Sequence, residues 1–350
     1  MNKKIPVGIL GATGTVGQRF IQLLEAHPWF EVEWLAASDR SSGKPYAEAA
    51  KWNLSTPLPE RIARMTVSPS APGNAPKLIF AALDAKAARE IEPAFAAAGH
   101  AVVSNSSGFR LQEDVPLVIP EVNGDHIQLV KHQQSYKQSG GFMVTNPNCS
   151  TIGLVLALAP LHRRFEVDKV FVATMQAISG AGYPGVPSMD ILGNVIPYIA
   201  NEEDKMEAES RKLLGSLRGA GVAPADFALS AHCNRVAVED GHTESVSIKL
   251  RQPAQAEEII AAWQEFRCLP QKLKLPTAPE QPVIYDPAPD RPQPRLDRDR
   301  GQGMSAVTGR LRPCNIFDWK FTVLSHNTIR GAAGAAVLNG ELLKAQGYLG

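Results

Sequence analysis

The four cysteines, Cys149, Cys233, Cys268 and Cys314, never stand closer than 35 positions apart. The chain therefore lacks the CxxC pair of a structural zinc site or a dithiol exchange centre; free thiols and no metal are expected. No run of 18 apolar residues occurs, and the start, Met1-Asn2-Lys3-Lys4-Ile5-Pro6-Val7, enters a strand where a leader would need an apolar core. Neither a spanning helix nor a leader is expected, and the expected location is cytoplasmic. An excess of one charge is missing as well: 36 Lys and Arg stand against 35 Asp and Glu, a net charge of +1, with the signs interspersed. That excludes a basic footprint for nucleic acid and a polybasic membrane anchor, so the expected partner is a small molecule. Repeats and low-complexity tracts are absent too. What is present is a chain of 350 residues, 44% hydrophobic and 20% charged, enough for about two domains, one with a large core.

The stretch Thr145-Asn146-Pro147-Asn148-Cys149-Ser150-Thr151 stands out. The apolar run Phe142-Met143-Val144 leads into it, Pro147 forbids helix at Asn146, and a helical pattern from Thr151 to Leu161 leads away. Cys149 is thus expected at a helix start, where free amides and the helix dipole favour a thiolate. A free cysteine is more often a small buried hydrophobe. The polar frame of Asn146, Asn148, Ser150 and Thr151 argues against a greasy pocket.

Near the start, the strand Pro6 to Leu10 runs into Gly11-Ala12-Thr13-Gly14-Thr15-Val16-Gly17 and then an amphipathic helix, Gln18 to Ala26. Strand, glycine turn and helix make a dinucleotide cradle: Gly11 for the turn, Gly14 for approach of a pyrophosphate, Gly17 for packing of helix on strand. The second strand, Val32 to Ala37, ends at Ser38-Asp39-Arg40-Ser41. Asp39 is the residue type that holds ribose hydroxyls in NAD enzymes, whereas Ser38, Arg40 and Ser41 suit a 2′-phosphate; the balance favours NADP. Strands at Arg64 to Val67, Lys77 to Leu83 and Ala101 to Ser104, with a helix over Ala85 to Ala98, continue the alternation. A Rossmann-type, doubly wound parallel sheet is the product.

From Lys169 the texture changes to long strands: Lys169 to Gln176, Ala228 to Val238, Thr243 to Leu250, Ala306 to Arg312 and Phe317 to Ser325, with a helix over Gln255 to Phe266. This predicts an α+β domain with a mostly antiparallel sheet, one face of which must meet helices or another subunit. Leu275 to Arg300 is proline-rich and charged, and is expected to hold no regular element, either as an ordered excursion at a subunit contact or as a solvated loop. A helix from about Asn327 to Ala345, with an Ala and Gly face, is free to return to the first domain. The expected division is 1–148 plus 327–350 for dinucleotide binding and 149–326 for catalysis and dimerisation.

Several side chains stand where chemistry is expected. Arg110 follows Ser104-Asn105-Ser106-Ser107-Gly108-Phe109, a polar loop at a strand's C-terminal end, and is a candidate anion clamp. Gln176 closes a strand before Ile178-Ser179-Gly180, where a flat ring has room against backbone. Glu202 and Lys205, three apart, share a helical face. Arg235 suits a carboxylate through two parallel hydrogen bonds. His242 follows a glycine turn and is the natural base for Cys149.

Taken together, GATGTVGQRF, SNSSGFR, NPNCSTI, QAISGAG, NEEDK, NRVAVEDGHTESV and NTIRGAAGAAVLN resemble the aspartate-semialdehyde dehydrogenase family, in its archaeal and fungal-like branch, in the family's order over nearly the whole chain. The resemblance implies Cys149 as the acyl-thioester nucleophile, His242 as acid/base and Gln176 as the amide that orients substrate. It implies Arg235 on the substrate carboxylate and Glu202 on its ammonium, with Glu203 a rival for that place. Arg110 and Lys205 resemble the phosphate pair, and Asn148 joins them at the substrate. Gly11, Thr13, Gly14, Thr15, Val16, Ser38, Arg40, Ser41, Ser179, Gly180 and Asn327 look like NADP contacts.

The implied reaction is the NADPH-dependent reductive dephosphorylation of L-aspartyl 4-phosphate to L-aspartate 4-semialdehyde, reversible and phosphate-dependent. It lies in aspartate-family biosynthesis of lysine, threonine and methionine. Helix N-terminal amides near Cys149 would hold the oxyanion. A homodimer, or a homotetramer built from it, is implied. The rival substrate is malonyl-CoA or another acyl phosphate. A short-chain reductase or epimerase needs Tyr-x-x-x-Lys, and none of the six tyrosines has lysine four positions on.

Overall fold

The computed structural model describes residues 3–349. Its first sheet is built from β1 (Ile5–Leu10), β2 (Phe30–Ala37), β3 (Ser68–Pro69), β4 (Leu78–Ala81), β5 (Ala101–Ser104) and β6 (Phe142–Thr145). The order is β3-β2-β1-β4-β5-β6 and every pairing is parallel. Parallel strands need crossovers, and the helices α1 (Thr15–Leu24) and α2 (Ala85–Ala97) are two of them. The strands are buried on both faces, which is why β4, β5 and β6 read as short unbroken apolar runs. Order reverses between β2-β1 and β4, so the crevice of this sheet opens at the glycine turn that follows β1.

The second sheet contains β7 (Val167–Gln176), then, after a two-stranded hairpin of β8 (Ser216–Arg218) and β9 (Gly221–Ala223), β10 (Ala228–Arg235), β11 (His242–Leu250), β12 (Val283–Asp286), β13 (Ala306–Pro313) and β14 (Trp319–Ser325). Its order is β10-β7-β11-β14-β13-β12; the three inner pairings are antiparallel and the two outer ones parallel. Alternate residues of β11 are buried, and Val246, Ile248 and Leu250 point into the core. Against that face lie α3 (Cys149–Phe165), α4 (Glu202–Leu213) and α5 (Ala256–Gln264). Every residue of α3 from Ser150 to Leu161 is buried, as expected of a helix that is apolar around its whole circumference. The opposite face of the sheet leaves Phe171 and Met175 more than a third exposed.

The last helix, α6 (Gly334–Ala345), packs Ala336, Val337 and Leu342 into the core of the first sheet, beside Val7, Phe20 and Phe80. It is preceded by a π-helical turn, Ile329–Ala333, wider than an α-helical one. Arg330 in that turn is fully buried and makes a two-pronged ion pair with Glu121, at 2.9 and 2.6 Å. Among the described residues no helix is long and apolar enough to cross a membrane.

Two expectations need correction. No strand spans Arg64 to Val67: Pro59 starts a helical turn, Glu60–Ala63, and pairing to β2 begins only at Ser68. The segment Leu275 to Arg300 holds regular structure after all. Pro282 and Pro287 bracket four residues free of proline, Val283–Asp286, and these pair with β13 as an edge strand, where missing donors are tolerated. A short helix, Pro294–Asp297, follows, and Asp297 ties back to Arg291.

Candidate active site

Asn148 caps α3. Its backbone is extended, and its Oδ1 accepts from the amides of Ser150 and Thr151 at 2.9 and 3.2 Å. The preceding proline keeps helix from starting earlier, so Cys149 becomes the first helical residue. Two first-turn amides are therefore already taken, which corrects the expectation that they receive an oxyanion. Cys149's own N–H remains, turned toward its sulfur.

Three strand ends form a row beside the thiol. Arg235 closes β10 in register with Gln176, which closes β7. Thr243 pairs with Met175, so His242, the first residue of β11, stands next to Gln176. The Cys149 Sγ lies 3.2 Å from His242 Nε2. On the other side of the ring the Ala177 N–H donates to Nδ1 at 3.0 Å. An amide donor at Nδ1 fixes the neutral tautomer with its proton on Nε2, so the imidazole donates toward sulfur. This replaces the expected base: at rest His242 offers a hydrogen and has no free lone pair for the thiol proton.

The electrostatics agree. Burial pushes the Cys149 thiol up to about 12, and Glu202 adds to the rise against Arg110 and Arg235. Burial, then Arg235 and His326, push His242 down to about 3. The pair is a neutral thiol and a neutral imidazole, not the thiolate expected from the helix end. Desolvation of the sulfur outweighs the helix terminus.

The remaining polar side chains are held from behind. Gln176 donates to Thr174 Oγ1 at 3.3 Å, and Arg235 Nη1 donates to the Ala177 carbonyl at 2.8 Å. Glu202, the first residue of α4, is buried and accepts from Asn148 Nδ2 at 2.8 Å, with Lys205 Nζ 3.9 Å from its other oxygen. Glu203, the rival, is exposed and accepts from the Cys233 amide on β10. Arg110 is 7% exposed; Nη1 donates to Glu209 at 2.9 Å and Nη2 to the Asn105 carbonyl at 2.6 Å.

A cleft of about 830 Å³ leads from the glycine turn to the thiol. Of the expected residues, Thr13, Gly14, Thr15, Val16, Ser179, Gly180 and Asn327 line it with Arg110, Asn148 and Cys149. Gly11 has φ +73°, and a Cβ there would stand 2.5 Å from the Ala82 carbonyl oxygen. A Cβ on Gly17 would stand 2.3 Å from the Gly11 oxygen, so no side chain fits between helix and turn. Gly14 caps α1 without any side-chain acceptor, leaving the first-turn amides open toward the cleft. Across it, Asn327 donates to Ser179 Oγ at 2.8 Å and accepts from the Gly241 amide. Ser38, Arg40 and Ser41 are not in the cleft wall; they sit at the end of β2, with Ser38 and Arg40 exposed. Among the described residues no His, Cys, Asp and Glu are grouped to hold a metal ion.

Three participants escape the sequence reading. Glu209 and Lys212 continue the Glu202 and Lys205 face of α4 at helical spacing, a signal that was legible but indistinguishable from a solvated stripe. Glu244, on the buried face of β11 with His242, is 1% exposed and has no hydrogen-bond partner on either carboxylate oxygen. Burial, then Glu202, push it well above the usual carboxylate range.

Comparison with known proteins bears on this geometry. Residues 6–130 match a family model described as semialdehyde dehydrogenase, NAD binding domain, and residues 158–330 one described as semialdehyde dehydrogenase, dimerisation domain. The chain is similar to the aspartate-semialdehyde dehydrogenase of Methanothermobacter thermautotrophicus, 51% identical over 97% of this chain and 99% of that one. It is also similar to that of Archaeoglobus fulgidus, 51% identical over 96% and 97%. A crystal structure of aspartate semialdehyde dehydrogenase with NADP from Candida albicans superposes with a TM-score of 0.91 at 44% identity, covering 99% of this chain and 100% of that one.

Proposed function

The chain belongs to the aspartate-semialdehyde dehydrogenase family, and on that premise we propose how its own residues divide the work. The reaction is the NADPH-dependent reductive dephosphorylation of L-aspartyl 4-phosphate to L-aspartate 4-semialdehyde, in aspartate-family amino-acid biosynthesis. Malonyl-CoA is not favoured as substrate. The cleft fits a dinucleotide: the turn at Gly11 and Gly17 has no room for a Cβ, and α1 presents uncapped amides where a pyrophosphate belongs. NADPH, when bound, supplies the hydride that reduces the thioester.

In our reading Arg235 grips the substrate α-carboxylate and Glu202 its ammonium, which sets the 4-acyl carbon at Cys149. Arg110 and Lys205 hold the phosphate. Sulfur attacks the acyl carbon, the C–O bond to phosphate breaks, and the thiol proton leaves with the departing phosphate oxygen, because His242 Nε2 is already protonated. After reduction, the tetrahedral oxyanion on the Cys149 adduct is met by the Cys149 amide and by Gln176. Collapse breaks the C–S bond, and the Nε2–H of His242 stabilises the thiolate that forms. Ser179, Gly180 and Asn327 position the nicotinamide end; Thr13, Gly14, Thr15 and Val16 the pyrophosphate; Ser38, Arg40 and Ser41 the 2′-phosphate. Residues 1–148 and 327–350 carry the cofactor and 149–326 the chemistry. We further read the protein as a cytoplasmic homodimer joined through the second domain, or a homotetramer built from that dimer.

The observation that carries this reading is the 3.2 Å contact between Cys149 Sγ and His242 Nε2 at the foot of a dinucleotide cleft. Its test is NADP reduction with L-aspartate semialdehyde. The expected rate depends on phosphate and falls to background in Cys149→Ala with NADP binding kept. A rate independent of phosphate, or a larger one for malonyl-CoA in the reductive direction, contradicts it.

A further inference from the structure

The charged stripe on α4 does not stop at Lys205. Glu202, Lys205, Glu209 and Lys212 follow at i, i+3, i+7 and i+10, one face of the helix, and the second half of that face is the more buried: Glu209 and Lys212 are both buried, whereas Lys205 is only partly so. Lys212 Nζ donates to three backbone carbonyls, those of Arg110, Gln112 and Val115, at 2.8–2.9 Å. It fastens the loop that carries Arg110. Glu209 is 1% exposed and uses its two oxygens on two different partners. Oε1 accepts from Arg110 Nη1 at 2.9 Å, and Oε2 accepts from the backbone amide of Asn148, the cap of the nucleophile helix, at 2.6 Å.

We propose that Glu209 is a positioning residue that couples the phosphate clamp to the nucleophile, one carboxylate bridging the Arg110 guanidinium and the amide next to Cys149. This rests on the reading of Arg110 as a phosphate ligand. The geometry demands a carboxylate in particular. Both partners are donors, they lie on segments 38 positions apart, and an acceptor with two oxygens joins them without a third group. Charge demands it as well, because a guanidinium 7% exposed, with a buried Nε that has no partner, needs a counter-ion when no phosphate is present. With Nη1 and Nη2 pinned, the guanidinium is fixed where Arg110 lines the cleft together with Cys149. A leaving phosphate and an attacking sulfur then keep their separation through every turnover.

Glutamine is the informative replacement. It has the same shape, but only one oxygen accepts, so its NH2 must face either the guanidinium or the Asn148 amide, donor against donor. We expect Glu209→Gln to raise KM for phosphate in the oxidative assay by about 10- to 100-fold, the loss of one charge-assisted hydrogen bond, with a fall in kcat. KM for L-aspartate semialdehyde, which is gripped by Arg235 and Glu202, is expected to stay near the wild-type value. Glu209→Asp keeps the charge but is one methylene short of bridging both partners, and is expected to fall between. NADP titration of each variant checks that the fold is intact, and protection of Cys149 from iodoacetamide by inorganic phosphate gives a second reading of the clamp. Unchanged KM for phosphate in both variants, or equal shifts in both Michaelis constants, overturns the proposal. A wild-type enzyme without phosphate-dependent turnover would refute the functional reading itself, whatever Glu209 does.

Discussion

At Cys149 two opposing effects act on one sulfur. The helix start and the guanidinium groups of Arg110 and Arg235 favour the anion, while burial and the Glu202 carboxylate favour the thiol, and burial prevails in the free enzyme. His242 is held neutral for the same reason, and its Nδ1 is occupied by a backbone donor. A consequence can be read in solution. Alkylation of Cys149 by iodoacetamide in the free enzyme should rise log-linearly with pH through the range where an ordinary cysteine levels off, since the thiol is pushed up to about 12. No step from His242 is expected between neutrality and its depressed value of about 3. The sign is fixed by which form is disfavoured: burial removes the charged state of both partners, so lowering pH adds nothing to either until far below neutral. A plateau near neutral pH would show a preformed ion pair and contradict this account.

Whole elements explain why these side chains meet. The thiol is carried on α3, the row Arg235, Gln176 and His242 on strand ends, and the carboxylate and ammonium stripe on α4. The turn Ile329–Ala333 closes the site from the first domain's side. At Gly331 a Cβ would stand 2.7 Å from the Cys149 Cβ, so the two backbones touch because the side chain is missing. Gly331→Ala is expected to push the helix start away from His242 and lower kcat by about tenfold or more, with an overpacking cost to stability of roughly 1–3 kcal/mol. Kinetics and a thermal melt of the same variant check both. An alanine variant with wild-type kcat would show that the contact gives way without moving the sulfur.

Most of this was legible in the chain. Period and punctuation predict Ala101–Ser104 and place the helix at Cys149, because Pro147 and the cap Asn148 act locally. The glycine turn is legible since its constraint is steric and close by. The edge strand Val283–Asp286 is hidden by flanking prolines, and β3 by its length of two residues. At the site, residue types announce Cys149 and His242. The tautomer of His242 is set by an amide 65 positions away, and the partner of Arg110 by Glu209, 99 positions away, and no local pattern contains such pairings.

On the scale of the molecule, the chain brings a dinucleotide cleft and a covalent site face to face by passing between two sheets. The first sheet ends at β6, four residues later the thiol begins the helix that covers the second, and α6 returns to the first core. The turn before α6 touches Cys149 on the way back, and its buried Arg330 is anchored on Glu121. This arrangement makes sense if an acyl group waits on the sulfur between two half-reactions. Without phosphate, oxidation of L-aspartate semialdehyde should stop there. The most direct measurement is peptide mass spectrometry on enzyme quenched after mixing with the aldehyde and NADP in phosphate-free buffer. The account predicts one aspartyl adduct on Cys149, formed with a single burst of NADPH and discharged when phosphate is added. A burst of NADPH with Cys149 unmodified would contradict it.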